Sequence, residues 1–312
     1  MTGPVTLTAG DLVLRPWRPA DRAPFAALNA DPEVMHHFPS PHTAEQSDAM
    51  VDRIEGAMAT EGWGLWALDA PGVGFVGFVG LAPAMFSAWF TSPEEPALEV
   101  GWRLARSAWG RGWATTAALE VLRFAFGELG RDEIVSFTVV ANEASRRVME
   151  KLGLARVPGG DFDHPKCLAP EHERVRRHVV YRIDRATFAA HEADPGLRRL
   201  ARHVGGFNAG VRTGAWRALL GGCTDDVTLE FAGVPVPTVS GRAAVGAAYR
   251  ADPPAGEILV VDPRRDGDDE VVAEWRMQAA PSVRMGDLRL GLRDDRVTRM
   301  LVSFDQLGGG SG

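Results

Sequence analysis

Apolar and polar positions along the chain fall into two regimes that change near residue 186. In the first, Leu12 and Leu14 form a short strand pattern closed by Arg15-Pro16, and a helix start is signalled at Pro19-Ala20-Asp21. Thr43-Ala44-Glu45-Gln46 has the spacing of a capping box: the threonine hydroxyl can accept from the glutamine amide while the glutamine side chain reaches back. The helix it opens carries Met50, Ile54 and Met58 as one apolar stripe. Apolar runs at Trp63 to Leu68, Val73 to Leu81 and Ala97 to Leu104 predict strands, the first two separated by Asp69-Ala70-Pro71-Gly72. Trp113 to Phe126 reads as a helix with Ala117, Val121 and Phe124 on one side. Ile134 to Ala141 predicts a strand, Glu143 to Leu152 a helix stopped by Gly153, and His178 to Ile183 a last strand. Hairpins followed by a βαβα segment predict a mixed sheet with helices on its faces.

The second regime starts with an alanine-rich stretch and Asp194-Pro195-Gly196, read as a linker over 189–196. Leu197, Leu200, Val204, Phe207 and Val211 then share one helical face. Alternating positions at Val227, Leu229 and Phe231, at Ala273, Trp275 and Met277, and at Leu288, Leu290 and Leu292 predict strands. Asp294-Asp295 turns into a further strand over Val297 to Phe304. Helices followed by a curved antiparallel sheet make this half α+β. The expected plan is an α/β domain over 8–188, the linker, an α+β domain over 197–306, and a flexible tail over 307–312.

Composition narrows the class. At 312 residues the chain is too long for one ordinary core, and 45% hydrophobic with 24% charged residues is a soluble globular mix. A formal net charge of −7 argues against nucleic acid as partner and suits an amine-bearing one. Cys167 and Cys223 lie far apart, which predicts neither a disulfide framework nor a thiolate metal site. The start Met1-Thr2-Gly3-Pro4 has no signal-peptide pattern, and no apolar run approaches the roughly 20 residues of a bilayer span, so a cytoplasmic protein without membrane contact is expected.

The candidate chemistry lies in Glu99 to Thr115, where a strand ends, Gly110-Arg111-Gly112 turns, and a helix begins at once. Glycines let the backbone approach a bulky ligand, and the amides freed at a helix N-terminus favour an anion. This is a pyrophosphate cradle, and the missing lysine excludes a P-loop. A second segment, Asn142 to Leu154, also follows a strand and opens a helix.

Together these segments resemble the GNAT acetyltransferases, and within them the branch similar to ribosomal-protein N-terminal acetyltransferases (RimJ/RimL type). Gly110-Arg111-Gly112 matches the family's coenzyme A loop, with Ser107 where glutamine or arginine is usual. Asn142, Ser145 and Lys151-Leu152-Gly153 match its downstream signature, and Leu14-Arg15-Pro16 with Asp31-Pro32-Glu33-Val34-Met35 its start. The resemblance covers about residues 8 to 188 and implies acetyl-CoA as co-substrate, with no metal. It places the cofactor against Trp102, Leu104, Trp109, Gly110, Arg111, Gly112, Ala114, Thr115, Asn142 and Ser145. It also implies direct attack by an amine on the thioester. Glu99 is then the candidate base, or else an edge-strand carboxylate. Ser145 is the candidate acid, or else a first-turn helix residue, because Met149 stands where relatives carry a tyrosine. Acceptor choice would lie in the loops around 29–42, 82–96 and 158–176, which fit a peptide N-terminus or a small-molecule amine. His164, in a loop overhanging the acceptor side, is a candidate substrate contact.

Gly72-Val73-Gly74-Phe75-Val76-Gly77 spells a dinucleotide fingerprint, but the strand that follows excludes it. The histidines near 36–42 and 164–172 match no metal-site spacing. The second half resembles the NTF2-like (SnoaL-like) fold, helices over a bent sheet forming a conical α+β barrel, in Phe207-Asn208-Ala209-Gly210, Asp226 to Phe231 and Ser240 to Val245. Within that resemblance Asp226, Glu230, Tyr249 and Trp275 are candidates to face the cone, or else structural residues, and homodimer pairing through the open sheet face is implied. Two other readings stay open: a sensor that holds acetyl-CoA without turnover, and an isomerase or binding activity in the second half.

Overall fold

A computed structural model describes residues 3–305, so the expected tail over 307–312 lies outside the described residues. The chain forms two units, Met1–Arg185 and Ala186–Gly312.

The first unit is built on nine strands: β1 (Leu7–Ala9), β2 (Leu12–Arg15), β3 (Leu65–Ala70), β4 (Gly74–Pro83), β5 (Leu98–Leu104), β6 (Glu133–Val139), β7 (Ala155–Arg156), β8 (Phe162–Asp163) and β9 (Arg177–Asp184). They run in the order β1-β2-β3-β4-β5-β6-β9-β7, with β8 also on β9. The β5–β6 pairing is parallel and the others are antiparallel. Its helices are α1 (Arg22–Ala30), α2 (Ala44–Glu61), α3 (Trp113–Gly127), α4 (Glu143–Lys151) and α5 (Glu173–Arg176). The capping box forms as the spacing requires: the Gln46 amide donates to Thr43 Oγ1 at 3.3 Å and the Thr43 amide to Gln46 Oε1 at 2.9 Å. Helix α3 turns a fully buried face, Ala117, Ala118, Val121, Leu122 and Ala125, onto the sheet, and Phe124 meets the buried Trp66 ring edge-on at 5.6 Å. Arg15 closes β2 by donating to Asp21 at 2.7 Å and to Asp69 at 2.6 Å, which ties the start of α1 to the end of β3.

Three differences from the sequence reading have simple causes. The turn after β3 sits at Pro71–Val73 rather than starting at Asp69, because β4 pairs back as far as Ala70. The short strands β1, β7 and β8 carry too few residues to show a period of two. At Gly77 (φ +134°) an added Cβ would meet the Arg103 carbonyl oxygen at 2.1 Å. That third glycine of the false dinucleotide fingerprint therefore serves the close approach of β4 to β5, and no helix follows it.

In the second unit, α6 (Arg185–Ala193), α7 (Pro195–Thr213), α8 (Arg217–Leu220) and α9 (Arg242–Ala251) accompany a six-stranded sheet. Its strands are β10 (Cys223–Ala232), β11 (Val239–Ser240), β12 (Ile258–Arg265), β13 (Glu270–Met277), β14 (Gly286–Arg293) and β15 (Arg296–Ser303), in the order β11-β10-β15-β14-β13-β12. The expected linker over 189–196 is instead helical on both sides of Asp194. Alanine is the strongest helix former, and Asp194 caps α7 by accepting from Gly196 N at 2.7 Å, with Pro195 at the first helical position. The sheet is not wholly antiparallel, since β15 returns parallel to β10. Its register breaks between Cys223 and Thr228, Val261 and Arg264, and Gly291 and Leu292; such irregularities bend a strand. Asp294 and Asp295 adopt φ of +51° and +56°, the left-handed pair that a two-residue hairpin turn requires. Leu197, Leu200 and Val204 of α7 pack with Trp216, Tyr249, Val227, Leu229, Leu290 and Met300 into a separate core. Tyr249 and Trp275 belong to it, but Asp226 and Glu230 do not. Strand alternation turns these two away to pair with Arg293 and Arg299, each at 2.9 Å.

Candidate active site

The sheet opens between β5 and β6. Their one ladder pair is Glu99 with Val135, and past it the Ser136 hydroxyl, almost fully buried, donates to Val100 O at 2.8 Å. Beyond that bond, among the described residues, the edge of β5 from Gly101 to Leu104 has no partner on β6. The amides and carbonyls that point from this edge into the opening, apart from the Leu104 carbonyl that Trp109 occupies, are left for a ligand laid along it. Alternation puts Glu99, Gly101 and Arg103 on one face, and Trp102 and Leu104 on the face that carries α3.

Past Leu104 the chain makes a 3₁₀ turn over Arg106–Ala108 and then passes through Gly110 (φ +73°) and Gly112 (φ +80°). Gly112 is the N-cap of α3, and the helix's bonding starts with Thr116 N to Gly112 O at 3.0 Å. The amides of Trp113, Ala114 and Thr115 precede that bond and point out at the positive end of the helix. No atom lies within 4 Å of where a Cβ would stand on Gly110 or Gly112, so both the open space and the left-handed backbone suit a bulky anionic group. Trp109 borders this cradle, half exposed, its indole N–H on Leu104 O at 2.9 Å. Arg111 donates to Ser107 O at 3.0 Å and lies 5.0 Å over the Trp113 ring. Exposed Ser107 contributes no positive charge here, whereas Arg111 and Arg106, the latter paired with Asp31 at 2.9 Å, do. Arg106 was not singled out in the sequence, since nothing in its spacing separates it from a solvated arginine.

Desolvation pushes the Glu99 carboxyl up to about 8, which makes it a carboxylate able to exchange a proton near neutral pH. Across the opening, Asn142 caps α4: its Oδ1 accepts from Ser145 N at 3.1 Å and its Nδ2 donates to Thr138 Oγ1 at 3.0 Å. The cap leaves Ser145, partly exposed, in the first turn of α4. Glu99 stands on β5 and Ser145 on α4, and among the described residues the two share no hydrogen bond. Met149 is buried in the core. The chain has two tyrosines. Tyr181 is buried, donating to Glu150 at 3.0 Å and accepting from Arg146 at 3.2 Å, and Tyr249 is in the other unit. Neither tyrosine lies on α4.

On the Glu99 face the structure also assembles rings that sequence reading did not join. Val135 lies beside Glu99, so Phe137, two residues on, shares its face. Around Phe137 gather Phe86 at 5.4 Å, Phe90 at 5.9 Å, Phe162 at 5.9 Å and His164 at 6.0 Å. Burial lowers the His178 ring and pushes His164 down to about 4, so both are neutral at physiological pH. On the other side of Glu99, the buried Arg103 donates to Asn29 Oδ1 at 2.6 Å and lies 4.2 Å over the Phe38 ring. Arg174 ties this loop down through the His36 and Phe38 carbonyls.

Residues 11–155 match the family model of the acetyltransferase (GNAT) domain. Over 133 residues the chain is 36% identical to the FsC-acetyl coenzyme A-N(2)-transacetylase of Aspergillus fumigatus, an alignment covering 42% of this chain and 56% of that one. It is 28% identical over 131 residues to the uncharacterized protein YkkB of Bacillus subtilis, covering 42% and 73%. Among solved structures, a GNAT-family acetyltransferase of Bacillus anthracis is 23% identical with a TM-score of 0.46, over 58% of this chain and 99% of that one. Mycobacterium smegmatis RimJ, in complex with CoA-disulfide, is 21% identical with a TM-score of 0.43, over 64% and 92%. Residues 11–155 of the first unit thus match an acetyltransferase (GNAT) domain, and the chain spans little more than half the length of the first of these relatives.

Proposed function

We propose that this chain is an N-acetyltransferase that moves the acetyl group of acetyl-CoA to a primary amine by direct attack. The observation that carries this is the opening of β5 from β6 at Glu99, continuous with the left-handed glycine turn that feeds α3. The amides of Trp113, Ala114 and Thr115, with Arg106 and Arg111 beside them, would hold the pyrophosphate, and the free edge of Gly101 to Leu104 the pantetheine arm. When bound, the thioester supplies an activated acetyl group. Glu99, with its pKa near 8, takes a proton from the acceptor ammonium. Ser145, or water at its hydroxyl, returns a proton to the leaving sulfur, since neither tyrosine is placed to do so. The resemblance to ribosomal-protein N-terminal acetyltransferases, the NTF2-like reading of the second unit and its pairing into a homodimer in the cytoplasm belong to the same proposal.

Calorimetric titration with acetyl-CoA tests it. Micromolar binding, about −8 kcal/mol, abolished by combined Gly110→Glu and Gly112→Glu substitution, is expected. No binding by the intact chain would overturn the reading.

A further inference from the structure

We infer that the acceptor is a monoamine carried on an apolar, aryl-sized group, seated in the ring cluster of Phe86, Phe90, Phe137, Phe162, His164 and His178. The inference rests on the acyl-transfer reading of Glu99 and the glycine cradle.

Position is the first argument. Strand pairing puts Val139 opposite His178 and Phe162 opposite His178, so Phe137, Phe162 and His178 share the face of Glu99. A group resting on these rings lies next to the carboxyl that would deprotonate its amine. Shape is the second. Phe86 and Phe162 stack with an interplanar angle of 11°, and His164 comes within 4.7 Å of Phe86 and 4.9 Å of His178. Yet Phe86, Phe90 and Phe137 each keep part of their surface exposed. Rings that belonged only to the core would be covered; partly covered rings around a partly covered histidine form a wall.

Charge is the third argument. Both histidines are neutral, and the two aspartates beside Phe162 and His164 are paired, Asp163 with Arg177 at 3.2 Å and Asp161 with Arg156 at 2.9 Å. A polycationic acceptor needs several carboxylates close together, and of the acids that strand register puts on this face Glu99 is the one at the opening, while Glu133, at the far end of β6, pairs with Arg182 at 3.6 Å. The fourth argument is the rim. Met85, Trp89 and Leu168, on the loops that reach the cluster, are 57%, 54% and 56% exposed. Large apolar side chains left in water on adjoining loops mark a surface meant to be covered. Trp89 is held rigidly there by its indole N–H on Gly160 O at 2.8 Å.

The test reads binding rather than turnover. The full chain saturated with coenzyme A is titrated calorimetrically with phenethylamine and, separately, with spermidine. Phe137→Ala and Phe86→Ala are run in parallel, each variant's coenzyme A affinity reporting that it has folded. Phenethylamine should bind at least about tenfold more tightly than spermidine, and each variant should weaken it about tenfold, about 1.4 kcal/mol, with coenzyme A affinity kept. Spermidine binding as tightly as phenethylamine, no phenethylamine binding, or unchanged phenethylamine affinity in both variants would overturn the inference alone. Failure of the intact chain to bind coenzyme A shows at the first titration and brings down the acyl-transfer reading and this inference together.

Discussion

Glu99 is placed to be both useful and costly. Its carboxyl lies partly buried on the sheet face, and desolvation raises its pKa from 4.5 to about 8. As a base it must be ionised, so kcat/KM should climb with pH and level off above about 8, and Glu99→Gln should lower kcat by about 10² to 10⁴. A pH profile that stays flat between 6 and 9 would remove Glu99 from the base role. The same shift has a stability consequence of definite sign. Between 4.5 and about 8 the folded state keeps a proton that the unfolded chain has released, so stability falls as pH rises through that window. Glu99→Gln should therefore melt with the wild type at pH 4 and above it at pH 9, an outcome that thermal scans at the two pH values read directly. Arg15 shows the opposite case, a buried guanidinium whose two carboxylates raise its pKa further. Removing one, as in Asp21→Ala, should destabilise the first unit by about 3 kcal/mol or more, measured by denaturant unfolding.

Elements with a local code could be read from the chain, and those assembled at a distance could not. The cap of α2 and the helix start at Trp113 depend on residues within a few positions of one another, and both stand where the pattern put them. Asp194-Pro195-Gly196 was locally coded too, but its signal is shared between linkers and helix caps, and the alanines before it decided for helix. The glycine turn into α3 was legible because a strand, two glycines and a helix follow without interruption. The ring cluster was not, because Phe86, Phe137, Phe162 and His178 come from four separate stretches joined through strand register. Arg103 was likewise hidden, since a strand arginine normally reaches solvent. The turn into α3 is sensitive to a single substitution through its backbone conformation. Gly112 sits at φ +80° with open space around it, so Gly112→Ala meets backbone strain rather than a clash. Its expected effects are about 1 kcal/mol of lost stability and weaker coenzyme A binding, as the α3 amides shift. Unchanged affinity in a titration would mean that the cradle is not set by this turn.

At the scale of the molecule, the second unit closes a core of its own: Leu200, Trp216, Tyr249, Leu290 and Met300 all lie beyond residue 186. A unit with a separate core is expected to unfold as a separate cooperative step, and ligand linkage can tell which step is which. Coenzyme A bound only by the first unit, at about 100 times its Kd, adds about 2.7 kcal/mol to that unit alone. For a unit of that size the gain raises its midpoint by about 5 to 10 °C, leaving the other transition where it was. Scanning calorimetry with and without coenzyme A should therefore show two transitions, one of them ligand-dependent. A single transition moving as a whole would mean that the two units unfold together, and the ligand would then stabilise the second core through the first.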